Sequence, residues 1–356
     1  MSSWFANISV NLKLGLGFGL VLALTTVLAL TGWTSLGSLI DRSNWMSDIT
    51  QLNSGLTKLR VTRLQYMLAN GDETAAQGVQ NTLDDFSAQQ KKLLASFQSP
   101  ENIKLLQGLG ATISAYQDSL NKMRNAYRSG DAARLAMNQN AERANDLING
   151  INSWVKQLPL SDERFTQFQA ITQAKEAFQL ARYEVRGYVT TNNPDTEQKA
   201  VTQLNAAIAE MDQLKSHFSS TQRDALQQLE TALSGYRSSL QAFKVAFSNA
   251  VEARKEMTDQ GADIVSRSDA LYQIQLDRRD IESAQARSLQ LISTLLALLV
   301  GVLAAVIITR QITRPLQETL AVVERIASGD LTENLRVTRR DELGVLQQGI
   351  VRMGVT

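Results

Sequence analysis

Apolar residues form two long stretches without a single charge, one near each end of the chain. No charged residue occurs between Lys13 and Asp41, and none occurs in residues 288–309. About 20 apolar residues are enough to cross a bilayer as a helix, so the pattern predicts transmembrane helices over residues 14–36 and 288–309. A cleaved signal peptide is the alternative for the first stretch, although its apolar core is longer than the usual span of about 7–15 residues. The second stretch is apolar on every face, which argues against a helix buried in a soluble core.

The charges that flank the second stretch predict its orientation. Arg310, Arg314 and Arg325 follow it closely, whereas acidic and basic residues are mixed before it. Because Lys and Arg are enriched on the cytoplasmic side of membrane helices, we expect a cytoplasmic C-terminus. Two spans then place residues 1–13 in the cytoplasm as well, and residues 41–287 form an exported domain.

Apolar positions between the two stretches repeat along the chain. In residues 109–127 they alternate steps of four and three, which is typical of a seam between packed helices, and the same pattern recurs 120 residues later. The two seams consist of Leu109, Ile113, Tyr116, Leu120, Met123 and Tyr127, and of Leu229, Leu233, Tyr236, Leu240, Phe243 and Phe247. Upstream of each seam an arginine, a tyrosine and an asparagine share one spacing: Arg60, Tyr66 and Asn70, and Arg182, Tyr188 and Asn192. The exported domain is therefore predicted to be a duplication.

Turn signals divide the exported domain into six predicted helices. These cover residues 41–70, 74–97, 101–157, 162–191, 196–218 and 222–287. The third and sixth are much longer than the others, roughly 85 Å and 100 Å at 1.5 Å per residue. The simplest threading of these lengths is a pair of stacked four-helix bundles that share the two long helices. The predicted fold class is all-α, and its weak point is Ser129-Gly130-Asp131, which could break the third helix.

The composition removes several classes of function. The 356 residues carry a net charge of +1, no cysteine and one histidine, His217. The sequence therefore lacks the residues needed for disulfides, for thiolate or multi-histidine metal sites and for serine–histidine triads. The balanced charge does not favour a nucleic-acid partner. We expect no catalytic residue, no metal ion, no cofactor and no nucleic acid, and hence no enzyme. His217 is expected to be exposed, near the end of the fifth helix.

Two arginine pairs are the candidate chemistry of the exported domain. Arg60 and Arg63 are three residues apart and Arg182 and Arg186 are four apart, so each pair projects from one helix face. Like charges at these spacings repel, and no acid four positions further on offsets Arg60, Arg63 or Arg182. A guanidinium binds a carboxylate through two parallel hydrogen bonds. The pairs therefore predict anion sites, with a solvated face beside carboxylates as the alternative.

Other residues extend this hypothesis. Tyr66 and Tyr188 follow the two pairs and could supply hydroxyls, whereas Tyr116 and Tyr236 occupy seam positions, for which core packing is the default. Arg254 on the sixth helix is a further candidate. Its height of ~50 Å above the membrane along that helix places it near the junction of the two bundles.

Two short amphipathic helices are predicted after the second span. Their apolar seams consist of Leu316, Leu320 and Val323, and of Leu343, Leu346, Ile350 and Met353. Because such helices cannot bury their stripes alone, we expect a dimer that buries them in a four-helix bundle. Pro315, Glu318, the Gly329-Asp330-Leu331 turn and Asp341-Glu342-Leu343-Gly344 resemble a HAMP relay module over residues 310–356. A generic juxtamembrane tail is the alternative.

The exported domain resembles the helical bimodular sensor domain of bacterial chemoreceptors, the methyl-accepting chemotaxis proteins, and most strongly the members that sense tricarboxylic-acid-cycle intermediates. The matching stretches run nearly from end to end: SWFANISVNLKLGLGFGLVL, LTGWTSLGSLIDRSNWM, QGADIVSRSDALYQIQL and ITRPLQETL. The resemblance implies a homodimer in the bacterial inner membrane, with a periplasmic sensor and both termini in the cytoplasm. It also implies a relay to a chemotaxis kinase and its adaptor.

The resemblance implies ligands and site residues as well. C4-dicarboxylates such as malate or succinate would bind in the membrane-proximal bundle, and acetate in the distal one. The proximal site would use Arg60, Arg63 and Arg254, and the distal site Arg182, Arg186 and Tyr236. Because Thr356 falls inside the second HAMP helix, before any methylation helices or kinase-contacting hairpin, we expect a fragment that binds ligand but does not signal.

Two other classes fit parts of the pattern. Sensor histidine kinases and diguanylate cyclases use the same spans and relay, and only the region after residue 356 separates them from chemoreceptors. A helical stalk without a ligand predicts that Arg60→Ala and Arg182→Ala leave every affinity unchanged. An enzyme within the exported domain would need a nucleophile–base or metal constellation, which the sequence lacks.

Overall fold

A computed structural model of the chain describes residues 7–218, 220–330 and 336–354. Within these ranges the chain is helical and contains no strand, which confirms the all-α prediction. The helices are α1 (Val10–Leu68), α2 (Glu73–Ser96), α3 (Pro100–Gln157), α4 (Asp162–Thr191), α5 (Pro194–Ser216), α6 (Arg223–Ile308), α7 (Arg314–Ala327) and α8 (Glu342–Gly354). A π-helical turn, Thr309–Thr313, joins α6 to α7. The chain divides into two units, residues 48–271 and residues 1–47 with 272–356.

Local sequence determines where the short helices begin and end. The Asp72 side chain accepts hydrogen bonds from the backbone N–H groups of Thr74 and Ala75, at 3.0 and 3.2 Å, and so starts α2. Asn192 ends α4 in the left-handed conformation, with φ of 52°. Helix α5 begins at Pro194 rather than at the predicted residue 196, because Asn193 caps it and proline suits the first helical turn.

Residues 48–271 contain two four-helix bundles. The proximal bundle consists of the C-terminal part of α1, α2, the first half of α3 and the middle of α6. Each of these helices contributes fully buried side chains, among them Leu59, Leu83, Leu109 and Met257. Helices α2 and α3 are also joined by the Gln90 side chain, which donates a hydrogen bond to the Leu106 carbonyl over 2.7 Å.

The distal bundle consists of the second half of α3, α4, α5 and the beginning of α6. Its core packs Ile148, Phe178, Leu204 and Leu233 from these four helices. The first five residues of each predicted seam are buried and the last ones, Tyr127 and Phe247, are half-buried, which agrees with a duplicated domain. Helix α3 continues through Gly130 because it packs closely against α6 there, so the predicted weak point does not break it.

The other unit contains the two apolar stretches, which lie side by side and antiparallel. A Cβ added at Gly17 would lie 3.1 Å from Ile308 Cδ1, and Gly32 faces the Gln290 side chain. In the described part of the chain, α1 and the helix that runs from Arg223 are long and apolar enough to cross a membrane. Their large apolar side chains point outward, as Leu22 does with 66% of its surface exposed. Such a surface fits a lipid environment rather than water.

The predicted HAMP segment forms the short helices α7 and α8. Gln347 of α8 donates a hydrogen bond to the Thr319 hydroxyl of α7 over 3.0 Å. Leu343 and Ile350 are buried, whereas the remaining seam residues that the structure describes are exposed or half-buried: Leu316, Leu320, Val323, Leu346 and Met353. Gly329 has a φ of 88°, as a turn requires; Leu331 of the predicted turn lies outside the described residues.

The N-terminal end of α1 contacts the beginning of α8 in the same unit. Lys13 Nζ lies 2.7 Å from Asp341 Oδ2, and both side chains are buried, with 1% and 4% of their residue surface exposed. Arg339 donates to the same carboxylate oxygen over 2.6 Å. Burial alone would raise the pKa of Asp341, but hydrogen bonds from Arg339 and Lys13 lower it to about 2. The carboxylate is therefore ionised and holds two cations.

Candidate functional site

In the distal bundle, Arg182, Arg186 and Tyr236 line one cavity of about 140 Å³. The two arginines lie on α4 and the tyrosine lies on α6, so the tertiary fold brings together residues that are about 50 positions apart. Arg134, from α3, lines the same cavity. Three arginine side chains and one tyrosine therefore line this space.

The electrostatics of this cavity favour a bound anion. Burial raises the pKa of the Tyr236 hydroxyl to about 12, although Arg182 and Arg186 both lower it. The hydroxyl is therefore protonated at neutral pH and can donate a hydrogen bond. The Tyr236 ring packs edge-on against Phe178, with ring centroids 6.1 Å apart, and the Arg182 guanidinium lies 5.9 Å from the Phe178 centroid. These contacts hold the phenol and one guanidinium in place.

The proximal bundle contains a corresponding group on α1 and α3. Arg60 is exposed and Arg63 is half-buried, and both lie near the buried Tyr116. Burial raises the pKa of the Tyr116 hydroxyl, while Arg63 and Arg60 lower it. Within the described residues, the Tyr116 hydroxyl and Arg63 Nε are both buried without a hydrogen bond of good geometry, although the two side chains lie beside each other. Buried polar groups are rarely left unpaired, so these two point to an acceptor that binds here.

None of the five predicted arginines forms an ion pair with a carboxylate among residues 7–218, 220–330 and 336–354. Other arginines of the same bundles are paired, as Arg128 is with Glu73 and Arg267 with Asp263. The positive charge at the predicted sites is therefore not neutralised by the protein's own acids, and the alternative of a solvated face beside carboxylates loses its support.

Arg254 lies apart from this proximal group. It lines a cavity at the junction of the two bundles, together with Tyr127 and Arg134. Burial raises the pKa of the Tyr127 hydroxyl and Arg254 lowers it, so the two side chains are close. This is the position that the height of Arg254 along α6 predicts.

Tyr66 and Tyr188 do not supply hydroxyls to the arginine pairs. Both are buried, and their rings pack edge-on against Tyr127 and Phe243, with centroids 5.2 and 5.8 Å apart. Their hydroxyls lie beside other groups, that of Tyr66 near Arg124 and that of Tyr188 near Glu197. The tyrosines that face the pairs, Tyr116 and Tyr236, come from other helices.

Arg134 is a site residue that the sequence analysis missed. Its signal was present in the repeat, because Ala133, Arg134 and Met137 recur 120 residues later as Ala253, Arg254 and Met257. Each bundle thus has an arginine pair from one helix, a tyrosine from a second and a single arginine from a third. His217 is exposed at the end of α5, as predicted, and its carbonyl accepts a hydrogen bond from Gln167 over 3.0 Å.

The unpaired hydroxyl of Tyr116 leads to a stability prediction. Tyr116→Phe is expected to leave the free energy of unfolding unchanged or to raise it by about 1 kcal/mol, because burying an unpartnered hydroxyl costs about 1–3 kcal/mol. Tyr188→Phe is the matched control. The Tyr188 hydroxyl lies beside Glu197, so its loss should lower stability by about 1 kcal/mol. Thermal unfolding without ligand compares the two, and a destabilised Tyr116→Phe would show that this hydroxyl is already satisfied.

The two apolar helices, the duplicated helical domain and the short helices after the second span define a membrane-anchored sensor with a relay module. Residues 33–286 match the helical bimodular sensor domain and residues 307–355 match the HAMP domain. The chain therefore belongs to the family of proteins with a helical bimodular sensor domain.

Three relatives are similar over almost the whole chain. The methyl-accepting chemotaxis protein McpS of Pseudomonas putida is 62% identical over 100% of this chain, which covers 56% of that protein. McpQ of the same organism is 36% identical over 99% of this chain and 55% of its own length. McpK of Pseudomonas aeruginosa is 28% identical over 98% of this chain and 55% of its own length. The chain thus spans about half the length of the curated relatives it matches, and all three are named methyl-accepting chemotaxis proteins.

Proposed function

We propose that the chain is the sensing and relay part of a transmembrane chemoreceptor for small organic acids. The observation that carries this proposal is the distal cavity, where Arg134, Arg182 and Arg186 converge with the protonated Tyr236. Arg182 and Arg186, which form no ion pair with a carboxylate in the described part of the chain, can bind a ligand carboxylate beside this phenol donor. The relatives named as methyl-accepting chemotaxis proteins support the receptor class over a histidine kinase or a diguanylate cyclase.

The two sites differ in a way that supports two ligands. The distal cavity is lined by arginines beside one phenol donor, which suits a single carboxylate such as that of acetate. In the proximal group the unpaired Arg63 and Tyr116 donors lie beside the exposed Arg60, which suits a dicarboxylate such as malate or succinate. Arg254 lines the cavity at the junction of the two bundles. It contacts the proximal ligand only if its side chain extends from this junction toward Arg60 and Arg63.

The relay follows the helices that carry the sites. Helix α6 runs from the sensor through the second apolar stretch to the π-helical turn before α7, so a shift of α6 on binding reaches the HAMP helices directly. A ligand drives such a shift only by its different affinity for the two positions of the helix. HAMP would then pass the signal to a chemotaxis kinase and its adaptor through parts of the protein outside this chain.

Topology and assembly are part of the same proposal. The contact between Lys13 and Asp341 supports a common side for the N-terminal end of α1 and the HAMP segment. With the positive flank of the second span, it favours the cytoplasm of a bacterium for both, and the periplasm for the sensor. The exposed apolar side chains of Leu316, Leu320 and Leu346 support a homodimer in which they are buried.

Calorimetry on the full chain in lipid nanodiscs tests the ligand class. We expect binding heat with acetate and with malate or succinate. Acetate should still bind to protein that is saturated with malate, because the two acids occupy different bundles. Citrate tests the upper size limit of the proximal site. The absence of heat with all four acids in a folded sample would rule out this class of ligand.

A further inference from the structure

A third cavity, of about 140 Å³, lies at the junction of the two bundles and is lined by residues from α1, α3, α6 and the turns that follow α1 and α4. The arginine–tyrosine groups described above do not account for it. Its volume has room for roughly five water molecules at about 30 Å³ each, and a cavity of this size can hold an apolar group such as a benzene ring.

The walls of this cavity come from both copies of the duplication. Three pairs of lining residues are separated by 120 positions each: Met123 and Phe243, Tyr127 and Phe247, and Arg134 and Arg254. Each bundle therefore contributes one apolar side chain, one aromatic ring and one arginine from equivalent places. A cavity built in this way offers an apolar body between two cationic ends.

Charge restricts what the cavity can hold. Its lining contains two arginines and one acid, Asp131, which leaves one net positive charge. Asp131 Oδ1 lies 3.7 Å from Arg134 Nη1, and the Arg134 guanidinium lies 5.1 Å from the centroid of the Phe243 ring. Arg134 is thus partly compensated, whereas Arg254 has no ion pair within the described ranges. One carboxylate on the ligand would neutralise the cavity.

Two unsatisfied polar atoms give a second, independent indication of a ligand. Arg134 Nε and Asn192 Oδ1 are buried without hydrogen-bond partners among the residues that the structure describes, and both residues line the cavity. Buried polar atoms of this kind are usually paired with protein, water or a ligand. Either atom can bind a polar substituent or an ordered water beside a ligand.

We propose that the junction cavity binds a small monocarboxylate with an apolar body, of the aromatic or branched-chain kind, with its carboxylate on Arg254 and its body between Met123 and Phe247. Short or hydroxylated acids such as acetate and malate leave these apolar walls unfilled. This site is additional to the two of the proposed function, and its ligand differs in chemistry from theirs.

Filling the cavity from two sides tests the proposal on the full chain in nanodiscs, with benzoate and 3-methylbutanoate as probes. A Cβ at Gly130 would make an ordinary contact with Ala246 Cβ, at 3.8 Å, and Gly130 lines the cavity, so the side chain of Gly130→Leu competes with a ligand for this space. Ala250→Leu fills the same cavity from α6. Each variant is expected to weaken binding of the probes by about tenfold or more. Binding of acetate and malate should stay unchanged. Gly150→Leu is the matched control, since Gly150 is exposed on α3 and lies away from the cavity.

Charge variants separate this site from the other two. Arg254→Gln is expected to weaken benzoate binding about ten- to hundredfold through the loss of a charge-assisted hydrogen bond. Arg63→Ala and Arg182→Ala are expected to leave it unchanged, even if acetate and malate prove not to be ligands. The proposal is wrong if neither probe binds folded wild-type chain, or if Arg63→Ala or Arg182→Ala removes benzoate binding. It is also wrong if the cavity-filling variants fold and bind benzoate like wild type. If those variants do not fold, Arg254→Gln decides, and wild-type benzoate binding by that variant contradicts the proposal.

Discussion

Arg182→Ala is expected to weaken acetate binding by about ten- to hundredfold, because a hydrogen bond to a charged group contributes about 1.5–3 kcal/mol. Arg182 lines the distal cavity opposite Tyr236 and has no ion pair in the part of the chain that the structure describes. Its truncation removes a cation and a fork of donors without breaking a contact to a carboxylate of the protein. Stability should therefore change little. Calorimetric titration of the full chain in nanodiscs measures the effect.

Arg237→Ala is the matched control for this experiment. Arg237 follows Tyr236 on α6 but is exposed and does not line the cavity, so it removes the same charge from nearly the same place. Malate binding should survive Arg182→Ala, since its proposed residues lie in the other bundle. Equal losses of acetate affinity in both variants would mean that only general electrostatic attraction is being measured.

Asp341→Asn is expected to destabilise the HAMP helices by about 3 kcal/mol, because it leaves the buried Lys13 ammonium without its carboxylate. Asparagine keeps the shape of the side chain. It also keeps an oxygen that can accept the hydrogen bond from the Gly344 N–H, which in wild type spans 3.1 Å to Asp341 Oδ1. The change therefore isolates the loss of charge. Hydrogen exchange of residues 336–354 in the full chain should become faster by roughly a hundredfold if these helices open locally.

Glu342→Gln controls for the neighbouring position. Glu342 is exposed, and its carboxylate accepts one hydrogen bond, from the Val10 N–H over 2.8 Å, which glutamine can also accept. Exchange rates should stay near those of wild type. An unchanged rate in Asp341→Asn would show that Lys13 and Arg339 find other partners and that the contact does not stabilise HAMP.

The same carboxylate predicts a pH dependence with a definite sign. The pKa of Asp341 is lowered in the folded state to about 2, below the ordinary aspartate value of about 3.9. Its contribution to stability is therefore complete above about pH 4 and disappears as the pH falls toward 2. Acid unfolding of the HAMP helices should show this step in wild type and lose it in Asp341→Asn.

Most of the fold could be predicted from the chain because its signals are local. The steps of four and three in the seams and the breaks at Asn70, Pro100 and Pro194 act over a few residues, and the helices begin and end close to the predicted places. The predicted start of the exported domain at residue 41 does not correspond to a break, because α1 continues from the first apolar stretch into the bundle. Without proline or a turn signal there, nothing interrupts the backbone hydrogen bonds.

The candidate sites could be predicted only in part. The repeat drew attention to Arg60, Arg63, Arg182 and Arg186, since like charges on one helix face repel each other and no acid lies four positions after Arg60, Arg63 or Arg182. It did not indicate which hydroxyls face them, because that depends on the rotation of neighbouring helices. The pairing of the arginines with Tyr116 and Tyr236, rather than with Tyr66 and Tyr188, is a result of packing.

The sequence by itself determined the helical class, the two apolar stretches, the duplication and the two arginine pairs, because periodicity and spacing are properties of the chain. Only the tertiary structure decided that Arg134 belongs to the distal cavity and that Arg254 faces the junction. Only it decided that Lys13 and Asp341 meet although 328 residues separate them. Contacts of this kind depend on how separate helices pack around a shared core, and no local pattern of residues encodes that geometry.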